Sequence, residues 1–538
     1  MAEVVRRDLP PTAAPLAARA SAPVNPWIIA MTVTLATFME VLDTSIANVA
    51  LPHIAGNLGA TQNESTWVLT SYLVSNAIIL PMSGWLSNLL GRKRFYMGCV
   101  VLFTLSSMLC GLATSLPLLI LFRVLQGLGG GGLGPSEQAI LADTFTPAQR
   151  NMGFAIYGMA IVVAPAIGPT LGGWITDSYS WHWIFFINVP IGILSLSLTS
   201  RIVRDPAYLR NMIKSNFRVD YMGIGLIVIG VGFLQYVLDK GQENDWFASN
   251  AILISFTVSM VALVALVFRE VTHENPIMDL RLLSKRNFAT AITFSFILGI
   301  VLNGSTVLLP QFLQNDLGYT AQQSGMAMSP AAIVLLFLMP VSGILASKFD
   351  PRMIIAFGFA LTAFGLYHVT TIHYGISFGA IVEYRIIQII GIPFIFIPIS
   401  TLNYVGVPRN KFNQVSGISN FVRNIGGGTG ISLLTTFLAR QDQIHRTALT
   451  AHTNHGNPFF EKQYQALVGS AAATGVGPVQ ATHHALAQLS GRVDLQASVL
   501  SFANSFYVLS FLVLLLVPLP FIMKRPSAEE SAAGAAAH

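Results

Sequence analysis

The sequence predicts an all-α integral membrane protein with fourteen spanning helices. Only 10% of the 538 residues are charged, 53% are hydrophobic, and the mean hydropathy is +0.62. A soluble protein carries about 25% charged residues, so several soluble domains, disorder and a coiled coil are excluded. The apolar residues also fall into fourteen runs of about the 20 residues that a spanning helix needs. They lack the period-2 alternation of a membrane β-barrel.

The runs must be helical, because lipid offers the backbone no hydrogen-bond partners. In chain order they are 27–51, 67–88, 95–114, 116–142, 152–174, 182–203, 219–239, 248–268, 287–312, 322–346, 353–372, 376–403, 412–438 and 498–523. Residues 1–26 and 524–538 are expected to be tails, the first of them disordered. Both tails are expected in the cytoplasm.

The orientation follows from the distribution of Lys and Arg. With the N-terminus in the cytoplasm, 22 of the 30 basic residues fall on the cytoplasmic side and 5 on the other. Cytoplasmic loops carry the excess of Lys and Arg, so this split predicts the topology. It also accounts for the net charge of +6 without a nucleic-acid partner.

The segment 439–497 is the one long connection on the external side, and we expect a solvated periplasmic loop there. It carries five histidines, of which His483 and His484 are adjacent. A metal site is the alternative interpretation, but the spacing typical of metal ligands is missing, so we predict no metal.

An internal repeat divides the chain. RVLQGLG at 123–129 is echoed by RIIQIIG at 385–391, and Gly84-Trp-Leu86 by Gly343-Ile-Leu345. Halves of transporters often repeat in this way. The prediction is a six-helix bundle over 27–203, two accessory helices within 204–286, and a second bundle over 287–438 that is completed by 498–523.

Five stretches together resemble one family. They are LDTSIANVALP at 42–52, GWLSNLLGRKR at 84–94, RVLQGLG at 123–129, GPTLGG at 168–173 and WIFFINVPIG at 183–192. In order and spacing they resemble the major facilitator superfamily, specifically its fourteen-helix drug:proton antiporters of the EmrB/QacA type. The long segment before the last helix looks like the EmrB subgroup.

The resemblance implies a proton-driven exporter of amphipathic drugs in a Gram-negative inner membrane, working by alternating access. It also implies a periplasmic membrane-fusion adaptor and a TolC-like outer-membrane channel as partners. The family motifs carry over to Gly84, Gly91, Arg92, Gly127, Gly168, Pro169, Gly172 and Gly173. We expect Arg92 to hold a helix end. The four motif residues from Gly168 to Gly173 are expected to let the fifth span bend and approach a neighbour closely. Two positions depart from the family: Asn88 replaces its usual Asp, and Ala164 replaces its usual Gly.

Ionisable residues inside spans are functional candidates by default, because lipid makes their charge costly. Asp43, Arg123 and the pair Glu383 and Arg385 lie at similar depth, and Glu40 lies one turn from Asp43. We expect Asp43 to take and release the transported proton while Arg123 sets its pKa, with Glu40, Glu383 and Arg385 as further coupling candidates. The alternative is a set of static pairs that hold helices together. Glu137 is expected at the interface, and Arg423 needs a partner that the sequence does not identify.

Substrate contacts are expected on helices that line the central cavity in relatives. Aromatic, Met and amide side chains suit amphipathic ligands. The candidates are Phe38, Met39, Gln126, Phe294, Asn303 and Phe394, and the nearby Phe296 and Phe396 share this character. Lipid-facing or packing roles are the alternative for each aromatic residue.

No enzyme chemistry is predicted, and no cofactor. None of the eight lysines follows Gly, so a Walker A loop is excluded and an ion gradient must drive transport. Two alternatives stay open: an exporter of a defined metabolite such as an aromatic or fatty acid, and a non-transporting membrane scaffold or receptor.

Overall fold

The computed structural model describes residues 25–206, 219–454 and 456–523, and within these ranges the regular structure is helical throughout. The predicted tails lie outside the described residues, apart from residues 25 and 26. The helices in chain order are α1 Pro26–Leu58, α2 Gln62–Ser65, α3 Trp67–Leu90, α4 Arg92–Gly111, α5 Leu116–Gly130, α6 Leu133–Thr144, α7 Pro147–Ser178, α8 Trp183–Phe186, α9 Asn188–Ile202, α10 Tyr221–Lys240, α11 Asn250–Thr272, α12 Arg286–Asn315, α13 Ala321–Lys348, α14 Pro351–Val369, α15 Phe378–Ile389, α16 Ile392–Leu402, α17 Phe412–Thr450, α18 Pro458–Ala473 and α19 Pro478–Leu514.

The predicted fold class is confirmed. Thirteen helical stretches in the described ranges are long and apolar enough to cross a membrane. The one remaining predicted span, 412–438, corresponds to α17, which is less apolar because its first half is rich in Gly, Ser and Asn. It nevertheless packs against α3, α6, α12 and α19. Its polar face is therefore covered by protein rather than by lipid.

Three predicted spans consist of two helices each. The span predicted at 116–142 breaks between α5 and α6 at Gly131 and Gly132, and the span predicted at 376–403 breaks between α15 and α16 next to Gly391. Glycine loses more conformational entropy in a helix than other residues do, so a helix breaks more readily at glycine. The third, predicted at 182–203, divides between α8 and α9 at Ile187.

The expected loop at 439–497 is mostly helical, which corrects the prediction. Helix α17 continues to Thr450, α18 covers Pro458–Ala473, and α19 begins at Pro478, well before the predicted span. The segment is polar but rich in Ala, Gln and Leu, which are good helix formers. Its side chains are largely exposed, as predicted for a solvated segment.

The accessory pair bridges the two halves. Helices α10 and α11 pack on each other, and α10 also contacts α3 of the first half and α17 of the second. The halves themselves meet along two seams, α7 against α13 and α3 against α17. The space between these seams holds the candidate site.

Candidate functional site

A central cavity of about 710 Å³ lies between the two halves. Its walls come from α1, α3, α6 and α7 on one side and from α12, α13, α15 and α17 on the other. The lining reaches Asn48 on α1 and Gln314, the penultimate residue of α12, near the predicted external side. A volume of this size suits a drug-sized ligand.

Contacts between the halves close the cavity on the predicted cytoplasmic side, and Asn413 of α17 is at their centre. Its Oδ1 accepts from Arg92 Nε at 2.7 Å, and its Nδ2 donates to Asn88 Oδ1 at 2.7 Å. Arg92 also donates to the carbonyl of Ala139 and pairs with Asp143 at 3.2 Å. Asn88, which replaces the family Asp, therefore contributes to the closure as a neutral acceptor.

The turn and the packing around this closure depend on glycine. Gly91 joins α3 to α4 with φ of 89°, a conformation that other residues adopt only with strain. A Cβ on Gly84 would lie 2.6 Å from the backbone oxygen of Asn413, so Gly84 lets α3 and α17 touch. Further bonds across the closure join Gln138 to Asn420 at 2.8 Å and Asn151 to Thr401 at 2.6 Å.

Asp43 and Arg123 form a buried ion pair inside the first half. Arg123 Nη1 donates to Asp43 Oδ2 at 2.6 Å, and the two residues are 0% and 2% exposed. Asp43 Oδ1 accepts from Asn188 Nδ2 at 2.6 Å and from Gln126 Nε2 at 2.9 Å. All of these donors are N–H groups, so the geometry fits a charged carboxylate. The predicted pairing is present, but Asp43 does not line the cavity.

Glu40 is the acidic side chain on the wall of the central cavity. Its Oε1 accepts from Asn76 Nδ2 at 3.0 Å and from the Tyr72 hydroxyl at 3.3 Å. The ring of Tyr72 also lies 4.3 Å from the guanidinium of Arg123. Tyr72 therefore touches both the cavity acid and the buried ion pair.

Glu383, a coupling candidate from the sequence, does not face the cavity. Its side chain is 63% exposed and lies 3.9 Å from His368 Nε2. Arg385 is on the opposite face of the same helix and does line the cavity. Residues two apart on a helix point in different directions, so these two could not share the cavity wall.

Arg385 and Arg423 face the cavity without an ion-pair partner among the described residues. Arg385 donates to Gln388 at 2.9 Å and to Thr306 at 3.2 Å, both neutral. Arg423 donates to Asn420 Oδ1 and lies 5.5 Å from the ring of Phe396. Two guanidinium groups on one wall give the cavity a positive side.

Among the predicted substrate contacts, Asn303 lines the cavity and the other five do not. Met39 and Phe294 are 0% exposed and belong to the packed interior. Gln126 bonds to the Asp43 pair, Phe38 packs within the first half, and Phe394 packs against Phe357. Hydropathy and depth predicted the helix and the level of each of these residues, but not the face of the helix on which its side chain lies.

The glycine motifs act mainly through close packing. Gly127 lies against Ser75 and Tyr72, Gly168 against Ser45, and Gly172 against Ile46. Pro169 lies inside α7 on the cavity wall. Gly173 is the exception, because a side chain there would meet nothing within 4 Å.

A second cavity of about 610 Å³ lies near the predicted external side. Gln311 lines both cavities, and Asp316, Asp442 and Asp494 line the second. Burial raises the pKa of Asp316, which lies just after α12. Three carboxyl groups therefore line this second cavity, and that of Asp494 pairs with Arg446 at 2.8 Å.

Several residues of the site escaped the sequence analysis. Tyr72, Asn76 and Thr37 lie in apolar runs with no motif to single them out. Glu137, expected at the interface, is 0% exposed and bonds to α1. Asn188 belongs to the motif at 183–192, and a polar side chain in such an apolar stretch indicates a buried hydrogen-bond partner, which here is Asp43.

The chain is similar in sequence to one protein family and to individual proteins of known role. The family model described as Major Facilitator Superfamily matches residues 33–431. The chain is 37% identical over 500 residues to the Multidrug export protein EmrB of Escherichia coli (strain K12), covering 93% of this chain and 95% of that protein. It is 34% identical to the Fatty acid resistance protein FarB of Neisseria gonorrhoeae, over 93% of this chain and 96% of FarB.

Among solved structures, the fold is similar to that of the proton:xylose symporter XylE. The TM-score is 0.57 at 15% identity, and the match covers 94% of this chain and 98% of that one. At this identity the similarity concerns the fold alone.

Proposed function

The chain belongs to the major facilitator superfamily, and we propose that it is a proton-driven antiporter that exports amphipathic drugs across a bacterial inner membrane. The similarity to multidrug export proteins supports the substrate class. The observation that carries the coupling is the arrangement of two acids on α1: Glu40 on the cavity wall and Asp43 in a buried pair behind it, joined through Tyr72.

In this proposal the cavity alternates between the two sides of the membrane. The closed contacts around Asn413 and the lining that reaches Gln314 correspond to an outward-facing state. In that state water in the cavity gives Glu40 a proton. The proton weakens the attraction of the site for a cationic or polar drug, which leaves to the outside.

Asp43 and Arg123 then act as the switch. As long as Asp43 is charged, the ion pair with Arg123 and the hydrogen bonds from the Gln126 and Asn188 side-chain amides hold α1 to α5 and α9. Transfer of the proton from Glu40 to Asp43 would cancel the ion pair and leave Arg123 buried without a counter-charge, which is costly. The halves are then free to rearrange toward the inward-facing state.

The export route is proposed to continue outside the membrane. The helical segment 439–497 is polar and largely exposed on the predicted periplasmic side. It is a suitable surface for a membrane-fusion adaptor that leads to a TolC-like channel. Co-purification of this adaptor with the full chain, and its loss when 452–476 is replaced by a short linker, tests this part.

A second candidate is an exporter of amphipathic organic acids, such as fatty or aromatic acids. Arg385 and Arg423 favour it, because each is a cavity guanidinium bonded to neutral side chains. A carboxylate ligand would supply the missing counter-charge. The name of FarB points in the same direction for that relative.

Reconstituted vesicles separate the proposals. With a pH gradient across the vesicle membrane, the chain should move a lipophilic dye uphill, and dissipation of the gradient should stop it. Stronger competition by fatty acids than by cationic dyes would favour the second candidate. Failure of both ligand types to move protons would favour a non-transporting protein.

A further inference from the structure

Glu137 on α6 is a completely buried carboxyl group outside the network of Asp43. It is 0% exposed, and its oxygens accept hydrogen bonds from the hydroxyls of Thr34, at 2.6 Å, and Thr37, both on α1. Among the described residues it has no ion-pair partner. A charged carboxylate bonded only to two hydroxyls is costly in an apolar surrounding, so Glu137 is a candidate functional residue.

The surroundings of Glu137 contain few charges. The titratable side chains on the helices packed against α6 include Glu40 on α1, Tyr72 on α3, Arg92, Tyr96 and Cys99 on α4, Tyr157 on α7 and Arg423 on α17. Asp43 on α1 and Arg123 on α5 pair with each other, and Arg150 on α7 lies over the ring of Phe412. Of these, Arg92 is bonded to Ala139, Asp143 and Asn413. Arg423 is bonded to Asn420. Neither cation neutralises Glu137.

The position of Glu137 connects the cavity with the closed end. Thr37 lines the cavity and donates to Glu137, and it lies one turn from Glu40 on the same helix. Successive turns of α1 thus carry Asp43, Glu40 and Thr37, each about 4.5 Å nearer to the predicted cytoplasmic side. Gln138, next to Glu137 in the chain, bonds to Asn420 across the closure at 2.8 Å.

We propose that Glu137 is a second proton site, from which the proton leaves to the cytoplasm. After Asp43 has returned the proton to Glu40, the proton passes through the Thr37 hydroxyl, which gives its own proton to Glu137 and accepts one from Glu40. When the halves separate at the closed end, the bond between Gln138 and Asn420 breaks and water reaches Glu137. Proton number and charge balance, because one proton enters at Glu40 and one leaves from Glu137. This inference rests on the proposed proton antiport.

The test uses the full chain in vesicles, with lipophilic dye transport and internal pH followed together. Glu137→Gln should lower proton-driven uphill transport at least tenfold, while dye exchange without a gradient stays within twofold of wild type. The pH profile of transport should flatten, whereas Glu137→Asp should restore it in part. A purely structural role would reduce exchange and uphill transport together, and that result would overturn the proposal.

Thr37 gives a second and independent arm. Thr37→Val removes the bridging hydroxyl and should slow proton-coupled transport, whereas Thr37→Ser keeps the hydroxyl and should leave it near the wild-type rate. Equal rates for Thr37→Val and wild type would overturn the proposed route even if Glu137→Gln does not fold. If wild-type chain moves dye with no linked proton, the antiport itself fails. If wild type couples normally and Glu137→Gln does too, only the present inference fails.

Discussion

Arg123 and Arg385 make the same hydrogen bond to the glutamine three residues further along the chain, but of the two only Arg123 has a carboxylate partner among the described residues. The bonds to Gln126 and Gln388 measure 2.8 and 2.9 Å. Arg123 pairs with Asp43 in the interior, whereas Arg385 bonds to Thr306 on the cavity wall. The repeated motif thus supports an ion pair in one half and an open cationic site in the other.

The open site predicts a preference for anions. Arg385→Gln should weaken binding of a long-chain carboxylate about tenfold or more, since a charged hydrogen bond contributes about 1.5–3 kcal/mol. Binding of an uncharged ligand of similar size should change much less. Calorimetry or fluorescence titration on purified chain measures both, and Arg281→Gln, on an exposed arginine away from the cavity, is the matched control. Equal losses for both ligands would contradict the anion site.

The buried pair predicts an asymmetric effect on stability. Arg123→Gln leaves Asp43 buried without a cation and should destabilise the chain by about 3–5 kcal/mol. The double variant Asp43→Asn with Arg123→Gln should recover much of this loss, because both charges are gone. Thermal unfolding in detergent compares the three variants. A double variant as unstable as the single one would indicate that the hydrogen-bond network, rather than the charge pair, stabilises this region.

The close approach of α3 and α17 predicts a conformational effect at Gly84. Gly84→Val would collide with the backbone of Asn413 and Gln414 and should disfavour the closed cytoplasmic side. A cysteine introduced at Ser416 should then label faster from the predicted cytoplasmic side. Gly173→Ala, where nothing lies within 4 Å, is the matched control and should leave labelling unchanged. Unchanged labelling in Gly84→Val would remove the structural role assigned to this contact.

The hydroxyl of Tyr72 predicts communication between the cavity acid and the buried pair. Tyr72→Phe keeps the ring over Arg123 but removes the bond to Glu40. We expect proton-coupled transport to shift its pH dependence while protein stability stays close to wild type. The measurement is the transport rate across a pH series in vesicles. A pH profile identical to wild type would mean that Glu40 does not depend on this hydroxyl.

Depth in the membrane was predictable from sequence, and direction around the helix was not. The 1.5 Å rise per residue brought Asp43 and Arg123 to one level, and the structure pairs them. Met39, Phe294 and Phe394 are on the expected helices but face the packed interior. Direction depends on which neighbour each helix face meets, and that information lies in contacts distant along the chain.

Glu383 and Glu137 illustrate the same limit from two sides. The depth of Glu383 in its span made it a coupling candidate, although its spacing of two residues from Arg385 places the two on different faces of the helix. Glu137 lies near a span end by sequence, yet α1 covers it completely. The hydroxyls of Thr34 and Thr37 donate hydrogen bonds to Glu137, but no sequence pattern links these two residues to α6.

The most direct test of the account is the number of protons moved per dye molecule in vesicles that contain wild type or Asp43→Asn. With wild type, dye movement across the vesicle membrane should be accompanied by proton movement in the opposite direction, measured as a change of the internal pH. Asp43→Asn should bind dye and exchange it, but without linked proton movement and without uphill transport. Normal coupled transport by Asp43→Asn would contradict the account, because the buried ion pair would then be a static support.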